Sequence, residues 1–168
     1  MIGDAIKVFP ALSEQETTIK AYFPDDYWVD LNTFEVTASK GSGGSEKSLP
    51  ASWEYVNVHL RGGKIIPWQD VVKDDINTTA ELISFGTILL YVHPDENQQA
   101  DGTLYIDNDG ISQTDYDNGN YQYYKLEWNK NTLRFLMQLG NSEKEEFTQN
   151  EVLDEIRVLR AEYYKDHD

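Results

Sequence analysis

Carboxylates dominate the chemistry that this sequence could perform. The chain of 168 residues has 30 Asp and Glu side chains against 14 Lys and Arg, which gives a formal net charge of −16. An acid–base pair must arise somewhere among so many carboxyl groups, so their abundance is no evidence for catalysis. A general acid also requires burial or a like-charged neighbour to raise its pKa, and a sequence shows neither. A solvated acidic surface is therefore the simpler interpretation.

The densest group of oxygen ligands lies in residues 101–118, and its chemistry would suit Ca²⁺, which prefers carboxylate and carbonyl oxygens. An EF-hand register does not fit. Placing Asp107 and Asp109 at loop positions three and five puts Tyr116 at position twelve, where the loop requires a carboxylate. Asp-Gly and Asn-Gly turns between strands are the simpler interpretation. A calcium site outside an EF-hand is the alternative, with candidate ligands Asp107, Asp109, Asp115 and Asp117.

Aromatic side chains offer a second chemistry, because the C–H-rich faces of sugar rings pack on aromatic rings. The aromatic candidates for sugar stacking are Trp28, Trp53, Trp68, Tyr121, Tyr123 and Tyr124. Neighbouring residues of a strand point to opposite faces, so at least one of these tyrosines should face outward. For Trp28 and Trp68, which lie at strand positions, burial is the better interpretation.

The remaining motifs predict structure rather than catalysis. His59, His93 and His167 are too scattered for a metal triad, and we expect His59 to be a hydrogen-bonded structural residue. Arg61-Gly62-Gly63 lacks a phosphate-loop pattern and predicts a tight turn with positive φ, which leaves Arg61 available for an ion pair. The chain has no Cys, which excludes disulfides and thiolate chemistry. We predict no cofactor.

The elements that must position these residues are strands. Short segments of β-branched and aromatic residues alternate with Gly, Pro, Asn and Asp clusters, and helical periodicity is nearly absent. This pattern predicts an all-β fold of two small antiparallel β-sandwich domains, a proximal one over residues 1–80 and a distal one over residues 81–168. The predicted strands are Ile6–Leu12, Thr17–Phe23, Tyr27–Asp30, Phe34–Thr37, Tyr55–Leu60, Lys64–Pro67, Ile83–His93, Thr103–Asp107, Tyr121–Trp128 and Thr132–Leu139.

Two segments have a less regular pattern. Glycines and serines over Ala38–Ser48 predict a flexible hairpin loop. Near the end of the chain, the spacing of Val152, Ile156 and Leu159 favours a short helix, whereas the alternation over Ile156–Arg160 favours a final strand.

Charge and hydropathy exclude two classes of partner. The net negative charge repels nucleic acid and anionic lipid, and no stretch concentrates Lys and Arg enough to override it. The longest apolar run, about Ile83–Val92, falls far short of the ~20 residues that span a bilayer. We therefore expect a soluble protein that binds neither nucleic acid nor membrane.

The sequence leaves its compartment open, and the sequon at Asn77 is a glycosylation candidate only in the secretory pathway.

Two motifs in the right order, with three further segments, carry a family resemblance. Residues 22–35 contain YFPDDYWVD followed by NTFE, which resembles the YFP-x-x-x-W-Y/V-D-x-x-T-G-E segment of glycoside hydrolase family 31. Residues 58–69, VHLRGGKIIPWQ, resemble the H-x-R-G-G-x-I-I-P-x-Q segment of the same family at the right distance. Residues 1–12 are similar to the stretch that leaves the catalytic barrel of these enzymes. Residues 84–90 and 102–107 are similar, less closely, to the opening of the second sandwich.

This resemblance implies a non-catalytic role. Members of the family hydrolyse α-glucosidic bonds with two barrel carboxylates, held ~5 Å apart across the sugar, and the W-x-D-M-N-E type of motif that carries them does not occur here. The chain resembles the post-barrel region of an α-glucosidase, with the catalytic (β/α)8 barrel as its expected partner and no activity of its own. If the parent is eukaryotic, the family implies a secretory or lysosome-like compartment. The alternatives are a self-standing module that binds oligosaccharide or calcium, and a free-standing enzyme.

Overall fold

The computed structural model describes residues 1–41, 43–51, 53–54, 56–69, 77–78, 87–107, 112–119, 121–140 and 153–159. Strands dominate this part of the chain, and a single five-residue helix occurs in it. The strands are β1 (Ile6–Phe9), β2 (Thr18–Phe23), β3 (Trp28–Asp30), β4 (Val36–Ala38), β5 (Ser45–Pro50), β6 (Asn57–Arg61), β7 (Lys64–Trp68), β8 (Ile88–His93), β9 (Gln99–Asp107), β10 (Tyr121–Asn129), β11 (Thr132–Gly140) and β12 (Leu153–Val158), and the helix is α1 (Gln113–Asp117).

The described residues form two compact units. The first contains those of Met1–Lys64 and His93–Gln98, together with Leu159, and the second contains those of Ile65–Val92 and Gln99–Val158. The predicted domain boundary, at residue 80, lies outside the described residues and stays a prediction.

The first unit has a four-stranded sheet in the order β1-β6-β3-β4 and a two-stranded sheet of β2 and β5. In β2 the alternation of side chains exposes Lys20 and Tyr22 and buries Ala21 and Phe23, as a strand with one face in a core requires. The core draws on strands of both sheets and consists of Ala21, Phe23, Trp28, Ala38 and Leu49. Trp28 is 1% exposed, which confirms its predicted burial.

The second unit has a six-stranded sheet in the order β11-β10-β9-β7-β8-β12. The side chains of β8 are buried along the whole strand, which suits its interior place in the sheet. The pairing of β12 with β8 is parallel, whereas the β9–β10 and β10–β11 pairs are antiparallel. The core of this unit consists of Ile65, Ile88, Leu90, Val92, Ala100, Leu104 and Leu126.

The all-β prediction is confirmed. The structure corrects the prediction for the loop Ala38–Ser48 and decides between the two interpretations of the segment near the end of the chain. The predicted flexible loop Ala38–Ser48 is wrong from Ser45 onward, because Ser45–Pro50 forms β5 and pairs with β2 along its length. Leu49 is the only buried side chain of β5, so the sequence of this strand lacks the alternation of apolar and polar residues that would predict it. At the end of the chain, Leu153–Val158 is a strand, which supports the alternation of Ile156 and Val158 over the helical interpretation.

The tight turn predicted at Gly62-Gly63 joins β6 to β7. Gly63 has φ of 75°, a conformation that glycine adopts without steric cost. The amide of Gly62 donates to the Tyr27 carbonyl at 2.8 Å. Arg61 pairs with Asp26 at 2.6 Å between Nε and Oδ2, so the expected ion pair is also present.

Candidate functional site

A row of three tyrosines lies in the second unit, and we call it the tyrosine stack. Tyr105 on β9 stacks on Tyr121 of β10 with ring centroids 5.6 Å apart, and Tyr121 stacks on Tyr116 of α1 at 4.9 Å. Tyr121, between them, is only 9% exposed, whereas Tyr105 and Tyr116 are about half exposed. Burial, with a smaller contribution from Tyr116, raises the pKa of the Tyr121 phenol. The stack therefore presents its two outer rings to solvent and holds the middle ring in place.

A cavity of about 180 Å³ lies beside Tyr105. Its lining comes from three strands of the six-stranded sheet: the end of β7 with the next residue Gln69, the start of β8 and the end of β9. Trp68 and Tyr105 are the aromatic residues of this lining, and they are 43% and 47% exposed. The predicted burial of Trp68 within this chain is therefore wrong, because its side chain lies at the end of β7 and borders the cavity. Trp68 packs edge-to-face on Tyr91 with ring centroids 5.7 Å apart. The Arg157 guanidinium in turn lies over Tyr91, 5.5 Å from the ring centroid.

The three tyrosines predicted to stack on sugar occupy different environments. Tyr121 is the buried middle member of the tyrosine stack, and Tyr123 and Tyr124 are half-buried. The Tyr124 hydroxyl donates to Gln122 Oε1 at 2.7 Å, and its ring meets Phe135 edge-to-face. Sugar stacking by these three residues stays a prediction.

Sequence reasoning overlooked Tyr105 and Tyr116. Tyr105 lies opposite Tyr123 in the β9–β10 register, so the two side chains share one face of the sheet. Predicting that the two tyrosines share a face requires the strand register, which the sequence does not give. The sequence shows only that a Tyr lies in a short predicted strand.

The calcium hypothesis falls largely outside the described residues. Asp109 is not described, nor are the side chains of Asp107 and Asp115. Asp117 Oδ1 accepts a hydrogen bond from Gln113 Nε2 at 2.9 Å. Within the described ranges, no group of three or more His, Asp and Glu side chains is placed to hold a metal ion. Calcium binding stays a prediction.

His59 and His93 are both buried, and His59 differs from expectation. It is fully buried in the first unit, and neither ring nitrogen has a hydrogen-bond partner among the described residues. The nearest carboxylate oxygen, Asp30 Oδ2, is 3.6 Å from Nε2, and the ring packs edge-to-face on Phe9 and Phe23. Burial, the largest cause, and the charge of Lys7 lower the pKa of His59 against an opposing effect of Asp30. The expectation of a hydrogen-bonded His59 is therefore wrong, because aromatic packing holds this ring.

His93 is also buried, with Nδ1 3.1 Å from the Leu60 carbonyl oxygen. His167 lies outside the described residues, and so does Thr79 of the glycosylation sequon. The acceptor Asn77 and its neighbour Thr78 are both exposed.

A groove of about 380 Å³ marks the surface of the first unit, and its lining combines apolar side chains with polar ones that include Glu14 and Glu16. Its exposed large apolar members are Trp53 at 93%, Leu12 at 86% and Val56 at 50%. Large side chains with this exposure are individually common, but here three of them share one concave surface. We call this surface the Leu12–Trp53 groove.

No helix of the described residues is long and apolar enough to cross a membrane.

Comparisons with known proteins agree with the motifs. Residues 1–66 match the model of the glycosyl hydrolase family 31 C-terminal domain. The chain is 37% identical over 121 residues to the probable maltase-glucoamylase 2 of Homo sapiens, which is 72% of this chain and 4% of that protein. It is 35% identical over 131 residues to the alpha-glucosidase of Mucor javanicus, which is 76% of this chain and 14% of that protein. The chain therefore spans only a small part of these relatives.

Solved structures show the same fold. The glucosidase II alpha subunit superposes with a TM-score of 0.78 at 22% identity, covering 91% of this chain and 16% of that one. The family 31 alpha-xylosidase of Xanthomonas citri gives a TM-score of 0.68 at 19% identity, covering 95% of this chain and 16% of that one. With the family model and the alpha-glucosidase relatives, these findings identify the chain as the C-terminal region of a glycoside hydrolase family 31 enzyme.

Proposed function

We propose that this chain is the non-catalytic β-sandwich region of a family 31 α-glucosidase and that it supports the catalytic barrel of that enzyme. The Leu12–Trp53 groove is the observation that carries this proposal. The groove belongs to the residues that match the family model, and its apolar side chains lack a covering partner within the described part of the chain.

Burial of this groove would stabilise an assembled enzyme. Each large apolar side chain that moves from water into an interface contributes about 1.5–3 kcal/mol before the entropic cost of association. Trp and aromatic side chains in general are the residues that dominate interfaces, since they combine a large apolar area with few rotatable bonds. Leu12 and Trp53 are therefore the side chains on which association with the barrel should depend most.

The chemistry of the parent enzyme explains why catalysis is assigned to the barrel and support to this chain. A retaining glycosidase needs two carboxylates about 5 Å apart, one as nucleophile and one as acid/base. The resemblance assigns both to the barrel, so this chain contributes rigidity and a docking surface rather than a reacting group. The whole enzyme, including its α-glucosidase activity, is part of the proposal.

Association with a barrel tests the proposal directly. The barrel region of the Mucor javanicus alpha-glucosidase, a 35% identical relative, is the binding partner, and light scattering after size exclusion measures the complex. We expect a one-to-one complex that the double variant Leu12→Ser/Trp53→Ser weakens at least about tenfold, the equivalent of about 1.4 kcal/mol.

The matched control is Val36→Ser, which removes a side chain of the same unit that is 48% exposed and does not line the groove. It should leave the complex intact. Equal binding by the double variant and the unaltered chain would contradict the proposed docking surface, and failure of the unaltered chain to bind would contradict the proposed support of the barrel.

A further inference from the structure

We propose that the cavity lined by Trp68 and Tyr105 binds a neutral pyranose ring, with these two side chains as its stacking surfaces. This inference goes beyond support of the barrel, since it concerns the second unit and does not use the Leu12–Trp53 groove. It also differs from sugar stacking by Tyr121, Tyr123 and Tyr124. Trp68 and Tyr105 line the cavity, and those three tyrosines are not among its described lining residues.

The size of the cavity limits the ligand. A volume of about 180 Å³ holds about six waters at their share of ~30 Å³ in the liquid. That is space for one monosaccharide ring, with any further sugar units of an oligosaccharide extending into solvent. A long apolar ligand would not fit within it.

The aromatic residues are exposed and are also held in place. Trp68 and Tyr105 each keep over two fifths of their surface accessible. Trp68 is supported by Tyr91, and Tyr105 is supported by Tyr121, the buried middle ring of the tyrosine stack. Rings that are already fixed lose little conformational entropy when a ligand stacks on them, which favours binding.

The rest of the lining indicates a neutral ligand with both apolar faces and hydroxyl groups. Ile88, Leu104 and Ile106 supply apolar contact, and none of the described residues that line the cavity carries a charge. Gln69 adds an amide, which can both donate to and accept from a hydroxyl. A phosphorylated or carboxylated ligand would find no cation among the described lining residues and would approach a chain with a net charge of −16. Unmodified sugars fit these requirements.

Nuclear magnetic resonance of the full chain, labelled with ¹⁵N, is the test, with maltose as the probe. Indole N–H resonances report each Trp separately. We expect maltose, added up to about 20 mM, to shift the Trp68 resonance in a saturable manner and to leave Trp53 unchanged, because Trp53 lies in the other unit. Maltose at this concentration would saturate a site with a Kd on the order of 1 mM.

Variants assign the binding to the two rings. Trp68→Ala and Tyr105→Ala should each weaken maltose binding at least about tenfold, with the remaining resonances as the readout, and Trp68→Phe should retain most of it. Tyr22→Ala is the matched control, because it removes an aromatic side chain of the first unit that is 55% exposed and does not line the cavity, and it should bind as the unaltered chain does. Thermal unfolding of each variant shows that it is folded.

Three results would overturn the proposal. The first is a Trp68 resonance that maltose does not move, and the second is unchanged binding by both alanine variants. The third is an equal shift with mannitol, which has the hydroxyl groups of a sugar without its ring. None of these results bears on association with the barrel, which is measured separately through the first unit.

Discussion

His59 shows how a single residue can set the pH dependence of this fold. The ring is completely buried among Phe9 and Phe23, and its pKa is lowered chiefly by that burial. The folded protein therefore holds the neutral form in a pH range in which the unfolded chain, with an ordinary His pKa of about 6.5, is already protonated. The unfolded state binds more protons there, so lowering the pH favours unfolding.

We predict that the free energy of unfolding rises with pH up to about 6.5 and then stops responding to this residue. The slope below that point approaches about 1.4 kcal/mol per pH unit for one site, until the lowered folded pKa is reached. Urea unfolding between pH 5.5 and 7.5 measures it. His59→Phe should flatten the profile in this range, because Phe fits an aromatic pocket and does not titrate. Parallel profiles for the variant and the unaltered chain would contradict this account.

Residue identity predicts some of these environments and not others. Trp28 is in the core and Arg61 forms an ion pair beside a glycine turn, as the apolar pattern and the turn chemistry indicated. The lack of hydrogen bonds at His59 was not predictable, since it depends on the aromatic rings that tertiary packing brings to it. Tyr105 entered the candidate site for the same reason, through its stacking on Tyr121.

At the scale of elements, the close approach of β9 to β7 depends on the missing side chain of Gly102. A Cβ added there would lie 2.2 Å from the Ile65 carbonyl oxygen and 2.8 Å from the Ile65 Cβ. Both distances are far below van der Waals contact, and the nearest atom belongs to the backbone, so the strands would have to separate. Trp68 and Tyr105 lie three residues further along these same strands.

We predict that Gly102→Ala destabilises the protein by about 2–3 kcal/mol, the upper part of the range for an overpacked core. Thermal or urea unfolding measures the loss. Thr103→Ala is the control on the same strand, because Thr103 is exposed and its truncation should change stability by about 0.5 kcal/mol or less. Gly102→Ala with unaltered stability would show that β7 and β9 are not packed as described.

The elements that the sequence predicted well are those with a regular apolar pattern or a distinctive turn. β10 and β11 match the predicted strands to within a residue at each end, as expected for long alternating segments. The sequence did not predict β5, because its side chains are nearly all polar. Backbone pairing with β2 makes this segment a strand. The parallel alignment of β12 with β8 is a long-range property, which local alternation around Ile156 does not specify.

At the scale of the whole molecule, motif order carried more information than composition. Composition predicted an acidic all-β chain, whereas the segments around Trp28 and Arg61 predicted the family, which the comparisons confirm. The functional surfaces were less predictable. The Leu12–Trp53 groove and the Trp68–Tyr105 cavity both join residues that are distant in sequence, so they exist only in the folded chain.

The central claim is that catalysis belongs to the barrel and that this chain supports it. Hydrolysis of a chromogenic α-glucoside tests it most directly, in three samples: the chain alone, the barrel region of the Mucor javanicus alpha-glucosidase alone, and both together. We predict no turnover by the chain alone and greater turnover by the mixture than by the barrel. Turnover by the chain alone would contradict the claim and would require a pair of carboxylates about 5 Å apart within these 168 residues.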